Sequence, residues 1–84
     1  MADTDLPESI RIVRYLANGE VQKDFTVNEL ERYAFDTTDG LLDFFAHQNL
    51  HVEDVTCVAI YDDDDDLLLR QCDPGLSFED VVGP

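Results

Sequence analysis

The chain has 84 residues with 20 acids against 5 bases, a formal net charge of −15 and a pI near 4.1. That length suits one small domain, and 44% hydrophobic content exceeds what disordered acidic tails carry. The charge sets the protein against direct binding of nucleic acid and against anionic membrane surfaces, and no apolar run approaches the roughly 20 residues of a membrane-spanning helix.

Residues 1–8 read as a flexible acidic leader, because Pro7 and its acidic neighbours offer little to pack. This N-terminus lacks the basic-then-apolar order of a signal peptide, so the expected location is cytoplasmic. Residues 9–84 read as a single α+β domain. From Ser9, the run Ile10, Ile12, Val13, Tyr15 and Leu16 leads into Asn18-Gly19, a hairpin signal between two β-prone stretches. Val21, Lys23, Phe25 and Val27 then alternate with polar residues, the period of a strand with one buried face. The expected hairpin covers residues 9–17 and 20–27.

Residues 26–50 allow two parses. Thr26-Val27-Asn28-Glu29 fits a capping box, with Leu30, Tyr33 and Ala34 following at helical spacing. Alternatively the strand continues through Tyr33 and Phe35, and Asp36 or Thr37 caps a helix carrying Leu41, Leu42, Phe44 and Phe45. The expectation is a helix over residues 38–48, ended by Asn49, with an earlier helical turn at 27–35.

A second hairpin is expected from Asp54 to Asp73. Val55–Tyr61 and Leu67–Leu69 flank five consecutive aspartates, and a turn centred on Asp64 and Asp65 sets Ile60 opposite Leu69 and Cys57 opposite Cys72. Ser77 then caps a short helical turn at 78–82. Hairpin, helix and hairpin imply a helix packed on one antiparallel or mixed sheet, with a radius of gyration of about 12 Å.

Catalytic signals are missing from the sequence. Ser9 and Ser77 are the only serines and neither sits in GxSxG; there is no Walker sequence and no dinucleotide fingerprint. Paired carboxylates do acid–base work only when one is desolvated, and the aspartate run is too polar for that. The expectation is a non-enzyme with no cofactor.

Asp62, Asp64, Asp66 and Asp73 match positions 1, 3, 5 and 12 of an EF-hand loop, but Leu67 replaces the turn glycine and the flanks read as strands. A solvated charged turn is the plain reading. His47 and His51 have the i, i+4 spacing of a two-imidazole metal site, which a helix end between them would spoil. Cys57 and Cys72 are too far apart for CxxC, and a cytosolic location favours two reduced, mostly buried thiols. The aromatic residues read as core.

Charge is unevenly divided: residues 1–32 net −3 and residues 33–84 net −12. Duplex DNA carries one charge per ~1.7 Å, so a segment of about 30 Å bears on the order of 18 charges, close to the −15 found here. The leading expectation is therefore an inhibitor or decoy that blocks a Lys/Arg-lined nucleic-acid channel on a partner enzyme or complex. Its partner-binding residues are expected to be Asp36, Asp39, Asp43, Glu53, Asp54, Asp62, Asp63, Asp64, Asp65 and Asp66. In size and charge the chain resembles phage-encoded DNA-mimic inhibitors, anti-CRISPR proteins among them.

A second expectation comes from Tyr61-Asp62-Asp63-Asp64-Asp65-Asp66, the three leucines that follow, Asp73, and Leu76-Ser77-Phe78. Over residues 55–82 this segment resembles the acidic motif of Phox/Bem-type ubiquitin-like domains. That resemblance implies an adaptor pairing its acidic loop with a basic patch on another domain. The acidic run is one residue short, the usual glycine is missing, and the chain ends where a last strand should follow. A third expectation is adaptation to a salt-rich cytosol, which selects Asp-rich, Lys-poor surfaces.

Overall fold

The computed structural model describes residues 6–83 except Ala34, and for Glu31 the backbone alone. Among the described residues the chain forms β1 (Ile10–Leu16), β2 (Val21–Val27), a 3-10 turn (Leu30–Tyr33), α1 (Thr38–Leu50), β3 (Val55–Tyr61), β4 (Leu67–Cys72) and α2 (Phe78–Val81). The strands make an antiparallel sheet in the order β2-β1-β3-β4. This is the expected α+β domain of hairpin, helix, hairpin and short helix, and its radius of gyration is 12.8 Å.

The first hairpin turns through Ala17 and Asn18 into a left-handed glycine. Gly19 donates to the Leu16 carbonyl at 2.9 Å and sits at φ +87°. A Cβ at Gly19 would lie 2.5 Å from the Val81 carbonyl oxygen. The missing side chain therefore serves the turn and the docking of α2 together.

Cross-strand partners share a face of the sheet. Ile12 faces Phe25 and Ile60, and Ile60 faces Leu69, so these side chains point the same way. They meet Leu41, Leu42, Phe45 and Ala46 of α1 to form the core, each fully buried Ile or Leu worth about 2 kcal/mol. The other face carries Arg11, Val13, Tyr15, Cys57, Ala59, Tyr61, Arg70 and Cys72. There the Phe78 ring meets Tyr15 edge-on at 5.4 Å, and the Arg70 guanidinium lies 4.8 Å from its centroid. Covered on both faces, β3 is buried from Val55 through Ile60, which accounts for its near-continuous apolar sequence.

The second hairpin has the expected register: Ile60 faces Leu69 and Cys57 faces Cys72. Ser77 caps α2 as expected, its Oγ accepting from the Asp80 N–H.

Four expectations need correction. The expected helical turn within 27–35 is present as the 3-10 turn Leu30–Tyr33, but the Thr26–Glu29 capping box does not start it. Thr26 and Val27 stay in β2, paired with Arg11 and Ile10, and Glu29 turns the chain at φ +58° before the 3-10 turn buries Leu30. Strand pairing and burial of Val27 and Leu30 against the core outweigh a local cap. The strand does not extend through Tyr33 and Phe35 either; Thr37 is the cap of α1, its hydroxyl accepting from the Gly40 N–H at 3.0 Å.

Asn49 does not end the helix. It is buried within the last turn, its amide donating to the Phe45 carbonyl at 2.7 Å, and α1 runs on to Leu50. The cysteines are not reduced thiols: Cys57 and Cys72 are joined in a disulfide across β3 and β4. The hairpin register holds their Cα atoms 4.0 Å apart. Within the segment expected to be a leader, Leu6 packs against the core; residues 1–5 lie outside those described.

Candidate functional site

The aspartate run forms the β3–β4 turn, and one of its members builds the others into place. Asp62 Oδ1 accepts from the N–H groups of Asp64 and Asp66, both at 2.9 Å. Backbone bonds from Asp65 to Asp62 and from Asp62 to Asp66 close the loop, and Asp65 takes a left-handed conformation at φ +67°. A short side chain able to bond its own backbone two residues on is what aspartate supplies here. Asp62 is half-buried, whereas Asp63, Asp64, Asp65 and Asp66 are exposed.

A shallow groove lined by Pro7, Thr38, Asp62, Asp63 and Leu68 places the start of α1 beside this turn. Asp36 and Asp39 flank that helix start and Asp43 follows one turn along, all three exposed. Asp39, in the first turn, also suits the positive end of the helix dipole. Asp62 and Asp63 thus share a groove with the start of α1, while Asp65, further round the turn, reaches Arg11 on the opposite sheet face. Glu53 and Asp54 do not join them. They follow α1 at its far end, about 20 Å away along a helix of this length.

Of the five bases, Arg32 sits in the 3-10 turn, 3.3 Å from Glu29, and the other four are on the sheet. Arg11 and Arg70 occupy the sheet face opposite α1, and Arg14 and Lys23 flank the Phe25 ring. Arg11 makes a two-pronged bond to Asp24, at 2.9 and 2.7 Å. This bond holds the Asp24 carboxyl below the usual range and raises Arg11. Burial pushes the neighbouring Tyr15 phenol up. Among the described residues, Asp65 is the one member of the ten within ion-pair distance of a base, 3.6 Å from Arg11. The negative charge at this end is thus left largely uncompensated.

Sequence reasoning missed two neighbours of these acids. Tyr33 is 47% exposed and Phe44 is 37% exposed. They crown a set of touching rings in which Phe35 meets Phe44 at 5.3 Å and Phe44 meets Phe45 at 5.1 Å. The readable signal was Phe44-Phe45 on a helix. Leu41, Leu42, Phe45 and Ala46 form the buried stripe of α1, and Phe44 falls outside it.

No family model, curated protein or solved structure matches this chain.

Proposed function

We propose that the protein is a non-catalytic acidic binding module that occupies a Lys/Arg-lined nucleic-acid site on a partner protein and excludes DNA or RNA from it. One observation carries the reading: the aspartate turn shares a groove with the start of α1, Asp36, Asp39, Asp43 and Asp63–Asp66 are all exposed, and among the described residues Asp65 is the one of these within ion-pair distance of a base. Over the 40 Å long axis, −15 corresponds to roughly one charge per 2.7 Å, against ~1.7 Å for duplex DNA. That density supports electrostatic steering into a basic cleft more than faithful copying of phosphate positions. Tyr33 and Phe44 beside Asp36 and Asp43 give the charged surface an aromatic anchor of the kind that dominates interface energies.

The test is competition. Binding to nucleic-acid enzymes with basic channels is measured with and without duplex DNA, across a salt series. The reading expects mutual exclusion with DNA, affinity falling steeply with salt, and loss on combining Asp39→Asn, Asp43→Asn, Asp63→Asn and Asp64→Asn. Simultaneous binding of DNA and protein, or salt-insensitive affinity, refutes it.

Rigid display of Asp63 and Asp64 on the Asp62-organised turn favours a second reading, an adaptor whose acidic loop pairs with a basic patch on a ubiquitin-like partner. There, Asp64→Lys with Asp66→Lys abolishes binding by itself. A cytoplasmic location belongs to the same proposal. It stands in tension with the Cys57–Cys72 bridge, because disulfides persist mainly in oxidising compartments.

A further inference from the structure

The extension of α1 to Leu50 brings together two side chains that an earlier helix end would have separated. His47 lies in the last turn of the helix and His51 caps it. Their ring centroids are 4.2 Å apart and both residues are exposed. His51 Nδ1 lies 2.7 Å from the His47 carbonyl oxygen. A carbonyl only accepts, so Nδ1 carries the hydrogen and the Nε2 lone pair is left free. Metal-binding histidines are typically held in this way, one ring nitrogen donating to a backbone carbonyl and the other facing the ion.

From this geometry we propose that His47 and His51 form a binding site for a borderline divalent cation of the zinc, nickel or copper class. Imidazole nitrogen suits these ions, whereas calcium and magnesium prefer all-oxygen ligands. The two rings open onto a groove of about 500 Å³ whose facing wall carries Gln71 and Asp73. Asp73 lines the same groove without coming within ligand distance of both imidazoles, so water completes the coordination. The cysteines take no part, since Cys57 and Cys72 are bonded to each other. The site lies at the opposite end of α1 from the Asp62–Asp64 turn, where three carboxylate oxygens can come within 4.8 Å of one another. The two ends therefore differ in donor chemistry as well as position, and the inference does not depend on the proposed function.

Calorimetric titration of the full chain with Ni²⁺, Zn²⁺ and Cu²⁺ in a non-coordinating buffer at 0.15 M NaCl tests the site. One ion should bind per chain. His47→Ala and His51→Ala should each weaken binding at least tenfold. The triple variant Asp62→Asn, Asp63→Asn, Asp64→Asn should retain affinity within about threefold, with circular dichroism confirming that all variants are folded. His47→Gln and His51→Gln provide variants that keep side-chain length. The imidazole resonances of both histidines should shift together on zinc addition. Binding that survives either histidine substitution, binding that is lost with the turn variant, or no binding at 0.1 mM ion overturns the proposal.

Discussion

Reduction of the Cys57–Cys72 bridge perturbs the domain without changing any side-chain volume. The bridge closes a span of 15 residues across β3, the aspartate turn and β4. Loop-closure entropy for a span of that length is about 10 cal/mol/K, which at 25 °C makes the bridge worth about 3 kcal/mol. For a domain of this size each kcal/mol moves the melting midpoint by roughly 4–8 °C, so reduction should lower it by about 12–24 °C. Paired thermal melts followed by circular dichroism, with and without a phosphine reductant, read the shift directly. Thiol counting under denaturing conditions fixes the starting state at no free thiol. Coincident melts, or two titratable thiols in the untreated protein, would refute the reasoning. The same count on protein isolated from its native source bears on location, since a reducing compartment disfavours such a bridge.

Asp62→Ala removes the acceptor of two backbone N–H groups and should cost about 1–2 kcal/mol, while Asp62→Asn keeps an acceptor oxygen and should cost much less; urea unfolding of the pair separates building the turn from carrying its charge. Gly19→Ala should destabilise by about 2 kcal/mol or more, combining a left-handed alanine with the Val81 collision, and the loss should appear first as faster amide exchange in α2. The Asp24 contribution is present above its unfolded value of 3.8 and is lost as pH falls through the lowered folded value; Asp24→Asn should flatten that acid limb in pH-dependent unfolding. Tyr15 acts at the other extreme: its folded value is raised above 10.0, so stability holds below pH 10 and falls as pH rises through the folded value, a limb that Tyr15→Phe should remove. Far-UV circular dichroism at ~0.1 M salt should show a folded domain, whereas folding only at molar salt would mark the charge as an adaptation to habitat.

Much of the architecture is written in local pattern. Apolar runs set the strands, alternating in β2 and near-continuous in β3, Asn18-Gly19 sets the first turn, and Thr37 and Ser77 set two helix starts. The symmetric placement of hydrophobic runs about Asp64 and Asp65 fixes the Cys57–Cys72 register. These features depend on residues within a few positions of one another, or on a hairpin whose two arms must match. The acidity of residues 33–84 is equally plain in the sequence.

What packing decided is different in kind. Whether Thr26–Glu29 begins a helix or ends a strand depended on Ile10 and the core, which lie far along the chain. Whether Asn49 stops α1 depended on burying its amide against the Phe45 carbonyl. The separation of Glu53 and Asp54 from the other acids, and the meeting of His47 with His51, follow from the length and direction of α1 across the sheet. A sequence records which charges and rings a chain owns, but their distances come from long-range burial, and no local pattern encodes a distance.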